Sequence, residues 1–156
     1  MPILSAGDKA PIFKGFDQNG ALISSTKLKG KKVILFFYPK DSTPTCTIEA
    51  CNLRDNYSKL QLLDLTLIGV SPDDMKSHLK FSTANELPFS LISDDGHAIC
   101  EAYGVWVEKN MYGKLYMGVK RTTFIIDEKG KIEHIFEKVD AKNHSRQIIN
   151  QLKKLV

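Results

Sequence analysis

Pro39, Thr43, Cys46 and Cys51 carry the chemistry this sequence can do. A proline, a hydroxyl and a thiol fall at the spacing Pro-x-x-x-Thr-x-x-Cys, and a second thiol follows five residues on. The segment comes directly after an apolar run, Val33-Ile34-Leu35-Phe36-Phe37-Tyr38, which reads as a strand buried on both faces. Strand, loop and thiol therefore lead into the start of a helix. The thiolate is the reactive form of cysteine, and an ordinary thiol is mostly protonated at neutral pH. Unpaired backbone N–H groups and the helix dipole stabilise an anion at a helix N-terminus. The Thr43 hydroxyl can accept from one group and donate to another, which suits it to orienting a peroxide oxygen against sulfur. Pro39 and Pro44 fix the backbone and remove N–H donors, shaping and drying the pocket.

Reduction of a peroxide bond needs few other parts. A thiolate attacks one oxygen in line with the O–O bond, and the leaving oxygen needs donors placed to meet its charge. Sulfur is left as a sulfenic acid, which a second thiol condenses to a disulfide. Cys51 is that thiol by position. Five residues along an ideal helix give a rise of about 7.5 Å, so the two Cα atoms would lie roughly 8–9 Å apart. A disulfide tolerates no more than about 7 Å without backbone movement. The first turns of the helix are therefore expected to unwind after Cys46 is oxidised.

The elements that position these groups follow from hydrophobic period and turn residues. Ile12 to Phe16 and Ala21 to Ser24 flank Asp17-Gln18-Asn19-Gly20 and read as a hairpin. Thr45 to Leu63 has helical spacing, and Leu65 to Val70 is a second buried strand. A helix begins at Asp73-Asp74 and runs to about Asn85. Pro88 to Ile92 is a strand, Asp94-Asp95-Gly96 a turn, and His97 to Tyr103 a short helix ended by Gly104. Thr122 to Ile126 and Lys131 to Lys138 are strands across a hairpin turn. Asn143 to Leu155 is an amphipathic helix with Ile148, Ile149, Leu152 and Leu155 on one face. Alternating strands and helices predict an α/β, thioredoxin-like fold: a central mixed sheet flanked by helices, with an N-terminal β-hairpin extension. Residues 1–156 are expected to form a single domain.

Composition narrows the class. At 156 residues the chain can bury one good core and is short for two domains. A net charge of +4 with scattered lysines lacks the dense basic stripe of a nucleic-acid binder. Three cysteines do not make a disulfide scaffold. No run is long enough to span a bilayer, and Met1 to Asp8 holds no secretory h-region. The expected location is a reducing cytoplasm, where cysteines that matter are catalytic or redox-sensing.

The chain resembles the peroxiredoxins, most closely the bacterioferritin comigratory protein / peroxiredoxin Q branch. Pro39, Thr43 and Cys46 fit that family's Pro-x-x-x-Thr-x-x-Cys signature, and Cys51 sits where this branch places its resolving cysteine. Similarity continues through Gly7-Asp8-Lys9-Ala10-Pro11, Gly69-Val70-Ser71, Tyr103-Gly104-Val105-Trp106, Met111-Tyr112-Gly113-Lys114 and Arg121-Thr122-Thr123-Phe124. The resemblance implies a peroxidase in which Arg121 contacts the Cys46 thiolate and the peroxide. Pro39, Thr43, Thr45 and Arg121 would line the substrate position. It implies hydrogen peroxide and organic hydroperoxides as substrates and thioredoxin as reductant, with glutaredoxin or glutathione as alternatives. No metal, haem or flavin is implied, and a monomer can complete the cycle because both thiols lie on one chain. Thr45 stands where this branch usually has glycine, and a β-branched residue there excludes a left-handed backbone. Glu49, one turn after Cys46, either helps position Arg121 or serves the helix dipole as an N-terminal acid.

Two other functions fit the same fold. A thiol–disulfide oxidoreductase would normally use Cys-x-x-Cys, and the four-residue gap here argues against it. A non-enzymatic redox sensor or holdase would oxidise slowly, stay oxidised and expose a surface for a partner. Cys100 reads as a buried structural thiol. The histidines at 78, 97, 134 and 144 have no metal-ligand spacing and are expected in solvated or capping roles. Trp106, Met111, Tyr112, Tyr116 and Met117 read as core packing or as a lid near the pocket, with a contact surface for a substrate tail or a reducing protein as the alternative.

Overall fold

The computed structural model describes residues 4–153. Met1 to Ile3 and Lys154 to Val156, with the expected apolar position Leu155, lie outside them. The centre of the molecule is strand β3, Lys32–Phe37. Its side chains alternate between two cores, as the period of two along a strand requires. Ile34 and Phe36 pack into one, followed by Tyr38, while Val33, Leu35 and Phe37 pack into the other. Both faces of the strand are dry, which is why its sequence is a continuous apolar run.

β3 pairs in parallel with β4, Leu65–Ser71, and β4 in turn with β5, Ser90–Ser93. On its other side β3 runs antiparallel to β8, Thr122–Ile126, which pairs with β9, Ile132–Phe136. The result is a five-stranded mixed sheet of order β5-β4-β3-β8-β9. Helices α1 (Pro44–Asp55), α2 (Tyr57–Gln61), α3 (Met75–Asn85) and α5 (His144–Lys153) supply Leu53, Leu60, Phe81 and Ile148 to the first core. Helix α4, Ala98–Ala102, and Phe13 from the N-terminal segment cover the opposite face. At Gly69 of β4 an added Cβ would meet Phe36 and Leu91 at 2.7 and 2.8 Å, so the large core side chains close directly on the backbone.

The N-terminal hairpin forms as expected, with β1 (Lys14–Phe16) and β2 (Leu22–Ser24) antiparallel. The Asp17 carboxylate accepts from the N–H groups of Asn19 and Ala21 in the turn. Two expectations change. The single helix over 45–63 is broken at Asn56, whose side chain donates to the Asn52 carbonyl and competes with the helical ladder. Between α4 and β8 lies a hairpin the hydrophobic pattern did not announce: β6 (Trp106–Met111) and β7 (Lys114–Val119). Its two-residue turn, Tyr112-Gly113, has φ of 54° and 82°, the positive pair that a tight hairpin needs. This ribbon joins no other strand of the described residues, and Met111, Tyr112, Leu115 and Met117 are exposed on it.

Candidate active site

Strand β3 ends at Phe37, and Tyr38 still bonds to the Val70 carbonyl of β4. The loop 39–43 then turns the chain into α1, with Pro44 at the first helical position and Cys46 at the third. Thr43 is the N-cap, but its hydroxyl donates to the Lys40 carbonyl at 2.8 Å rather than capping the helix. The first backbone bond of the helix runs from Thr47 N to the Thr43 carbonyl. The N–H groups of Thr45 and Cys46 precede it and have no carbonyl one turn back to receive them. Cys46 is 2% exposed, so its sulfur sits inside the protein wall beside these donors.

Arg121 reaches that sulfur. Its Nη2 lies 3.2 Å from Cys46 Sγ, and its Nη1 donates to Glu49 Oε1 at 2.6 Å. The register explains how residues 75 positions apart meet. Phe37 pairs with Thr122 across β3 and β8, which puts Arg121 beside the end of β3, where the loop begins. Cys46 and Glu49 present one helical turn to the same guanidinium, so the planar fork holds both at once. Burial pushes the Glu49 carboxyl up to about 7, although the Arg121 charge and hydrogen bond pull it down.

Cys51 is elsewhere. It is half-buried, its thiol donates to Asn85 Oδ1 at 3.6 Å, and all three cysteines are unbridged. Pro39 is half-buried next to Tyr38. Thr45 is exposed in the first turn of α1, where the backbone is right-handed, so its β-branch conflicts with nothing. Cys100 is fully buried, as expected, and burial pushes its thiol far up, with Asp94 adding to the shift.

A second network pins the loop. Asp41 accepts from the Tyr38 hydroxyl (2.6 Å), the Ser77 hydroxyl (2.8 Å) and His78 Nδ1 (2.7 Å). Its own N–H donates to Asp73, which also accepts from Ser71. His78 Nε2 faces the Ile92 carbonyl at 3.0 Å. Both imidazole nitrogens thus face acceptors, which requires both protons and a charged ring. Burial alone would lower the His78 pKa, but the Asp41 hydrogen bond and charge, with the Ile92 carbonyl, raise it. Asp41, Asp73 and His78 lie close enough together to hold a metal ion. Protein donors already occupy these carboxylates, however, and a doubly protonated imidazole is no ligand.

The expectation for the histidines fails in two places. His78 and His144 are completely buried, His78 on α3 against the loop and His144 at the start of α5. His97 does stand at the N-terminus of α4, with its ring stacked on Trp106 at 3.8 Å. Lys109 on β6 is a further cation near the site. Burial and the Arg121 charge lower its amine pKa, while Cys46 acts in the opposite direction. Its spacing from Cys46 gave no sign of this, because the hairpin that carries it was not legible.

Residues 6–135 match the AhpC/TSA family. The chain is a peroxiredoxin. It is 46% identical to a putative peroxiredoxin Bcp of Coxiella burnetii over 149 residues, covering 96% of this chain and 99% of that one. It is 42% identical to peroxiredoxin Bcp of Escherichia coli, with 98% of both chains covered. Among solved structures, the bacterioferritin comigratory protein of Xanthomonas campestris superposes with a TM-score of 0.89 at 31% identity, covering 96% of this chain and 98% of that one. The thioredoxin-like fold expected from the order of elements is thus that of its structural neighbours. Identity at this level over the full length makes this peroxiredoxin a thiol peroxidase, an antioxidant oxidoreductase. No helix among the described residues is long and apolar enough to cross a membrane.

Proposed function

We propose that this peroxiredoxin reduces hydrogen peroxide and organic hydroperoxides through Cys46, resolves the product with Cys51, and is regenerated by thioredoxin. The observation that carries the proposal is the Arg121 fork, with one arm on the Cys46 sulfur and the other on buried Glu49. The Cys46 thiolate attacks one peroxide oxygen, the O–O bond breaks, and the other oxygen leaves as alkoxide or hydroxide and takes a proton. Arg121 and the N–H groups at the head of α1 meet the charge as it moves from sulfur to oxygen. The Thr43 hydroxyl keeps an oxygen lone pair free to orient the peroxide, because its hydrogen goes to Lys40. Pro39 and Thr45 border the approach. Cys51 then displaces hydroxide from the Cys46 sulfenic acid, releasing water and forming the disulfide. A dithiol protein takes the disulfide in exchange for its own two thiols. The organic substrate class gains support from the Xanthomonas campestris protein, which is described by its alkyl peroxide reduction activity.

Bridging Cys46 to Cys51 requires α1 to open. The bonds that such opening has to release include those from Thr47 N and Oγ1 to the Thr43 carbonyl and from the Cys51 thiol to Asn85. We also read the chain as one domain, a monomer and cytoplasmic, with glutaredoxin or glutathione as lesser reductants. The single domain is supported by two cores that share one sheet.

The test is NADPH oxidation with thioredoxin, its reductase and peroxide. Sustained turnover together with a Cys46–Cys51 peptide in the oxidised protein is expected. Turnover with glutathione but not thioredoxin would sink the reductant assignment. Insulin reduction without peroxide would instead favour a thiol–disulfide oxidoreductase.

Arg121→Gln is expected to slow Cys46 oxidation by about 10²–10³-fold, the loss typical of one preorganised donor at a developing charge. Arg121→Lys should recover only part of this, since an ammonium cannot hold Cys46 and Glu49 with one planar fork. Stopped-flow oxidation by hydrogen peroxide measures both. A rate for Arg121→Gln within threefold of wild type would remove Arg121 from the site.

A further inference from the structure

Glu49 is 1% exposed, and its second oxygen, Oε2, is buried with no hydrogen-bond partner among the described residues. A carboxylate oxygen left bare in the interior is costly, so its surroundings need an explanation. His144 Nε2 lies 4.0 Å from it. That histidine is fully buried, and Phe136 of β9 packs edge-on against its ring.

Hydrogen bonds around His144 fix its tautomer. Nδ1 lies 2.8 Å from Gln147 Oε1. The amide is oriented by two further bonds, since Oε1 accepts from Asp140 N and Nε2 donates to the Lys138 carbonyl. Nδ1 therefore carries the proton and donates to Gln147. Nε2 is then unprotonated, and its single lone pair receives the Thr123 hydroxyl at 2.8 Å. That lone pair is therefore engaged, and Glu49 Oε2, 4.0 Å from Nε2, is left without a donor. A proton added to Oε2 satisfies that oxygen, and it is shared with Nε2 when the Thr123 hydroxyl turns away.

We propose that Glu49 and His144 form a buried seat for one exchangeable proton, and that its presence sets how strongly Arg121 acts on Cys46. His144 and Thr123 are thus positioning residues that work through Glu49. The inference rests on the assignment of Cys46 and Arg121 above. With the proton in place Glu49 is neutral, yet Oε1 still accepts from Arg121 and holds the fork in position. The guanidinium charge then belongs to Cys46 alone. With the proton gone, the Glu49 carboxylate competes with the thiolate for the same cation. Burial lifts the Glu49 carboxyl to about 7 and pushes the His144 imidazole down to about 4, so the proton rests on the Glu49 side. The charged groups facing the pair are Arg121 between β7 and β8, Cys46 on α1, Asp140 before α5, and Lys109 of β6 through Arg121.

The test is the pH profile of Cys46 oxidation by hydrogen peroxide, measured from pH 5 to 9 as a single turnover. Wild type is expected to show a falling alkaline limb that begins near neutral pH. Glu49→Gln, which mimics the protonated acid, should lose that limb. His144→Phe removes the acceptor for the proton and should move the limb down by about one pH unit, a tenfold change in proton affinity. Thr123→Val frees Nε2 for Glu49 while keeping side-chain shape, and should move the limb up. It also decides the question if His144→Phe does not fold. Profiles that superimpose on wild type, or that only scale by a constant factor, overturn the proposal. If wild-type Cys46 is not oxidised at all, the underlying assignment fails instead, and the two failures are distinguishable.

Discussion

Cys46→Ser is expected to remove peroxidase activity entirely, leaving the uncatalysed rate, while Cys51→Ser keeps one oxidation event per chain and then stops. The two effects differ because the two thiols lie in different surroundings. Cys46 sits at the head of α1 with Arg121 at 3.2 Å, where a sulfur anion has a cation and free N–H donors. A serine hydroxyl in that place remains protonated and is a poor nucleophile toward oxygen. The substitution is close in size, so the fold should survive. The Cys51 thiol donates to Asn85 and, in the proposed cycle, takes no part in the first attack. Under the proposed cycle, a chain without it leaves the Cys46 sulfenic acid with no intramolecular partner and offers thioredoxin no disulfide to reduce. Mass spectrometry after one equivalent of peroxide should show a single added oxygen in Cys51→Ser and none in Cys46→Ser. In wild type the same treatment should give a loss of two hydrogens. Full turnover by Cys46→Ser would refute the nucleophile assignment outright.

The parts of this site legible in the sequence are those fixed by local rules. Val33 to Tyr38 announces β3 because both faces of the strand are buried, and Pro44 announces the start of α1. Only the family resemblance points to Arg121. Its place depends on the pairing of Phe37 with Thr122, a register between distant strands that no local pattern encodes. The β6–β7 ribbon is not legible for a related reason. With Met111, Leu115 and Met117 exposed, it has no inside and outside for a period of two to mark. Only Tyr112-Gly113 signalled the turn. His78 and His144 looked solvated because burial of a polar residue is set by the elements that close over it. In each case that closure comes from another part of the chain, the 39–43 loop for His78 and α1 for His144.

Asp41→Ala is expected to destabilise the protein by about 3–5 kcal/mol, since it strips the counter-charge from a buried imidazolium. For a chain of this length that corresponds to a fall in Tm of roughly 10–15 °C. The carboxylate is 5% exposed by residue and accepts from Tyr38, Ser77 and His78, so three donors lose their acceptor together. Asp41→Asn should cost less. The amide can donate to Nδ1 of a neutral His78, whose Nε2 proton still serves the Ile92 carbonyl. The pH dependence carries the sign of the ion pair. The folded pKa of His78 lies above its ordinary 6.5, so folding binds a proton. That stabilisation is complete below pH 6.5 and is lost as pH rises through the folded value. The Tm difference between wild type and Asp41→Asn should therefore shrink as pH rises from 6 toward 9. A difference that stays constant would show that His78 is neutral in the folded protein. Because Asp41 lies between Pro39 and Thr43, loosening it should also slow Cys46 oxidation at temperatures where the protein is still folded. The ion pair then does two things at once: it holds α3 to the end of β3, and it keeps the loop at the geometry in which Arg121 meets the sulfur.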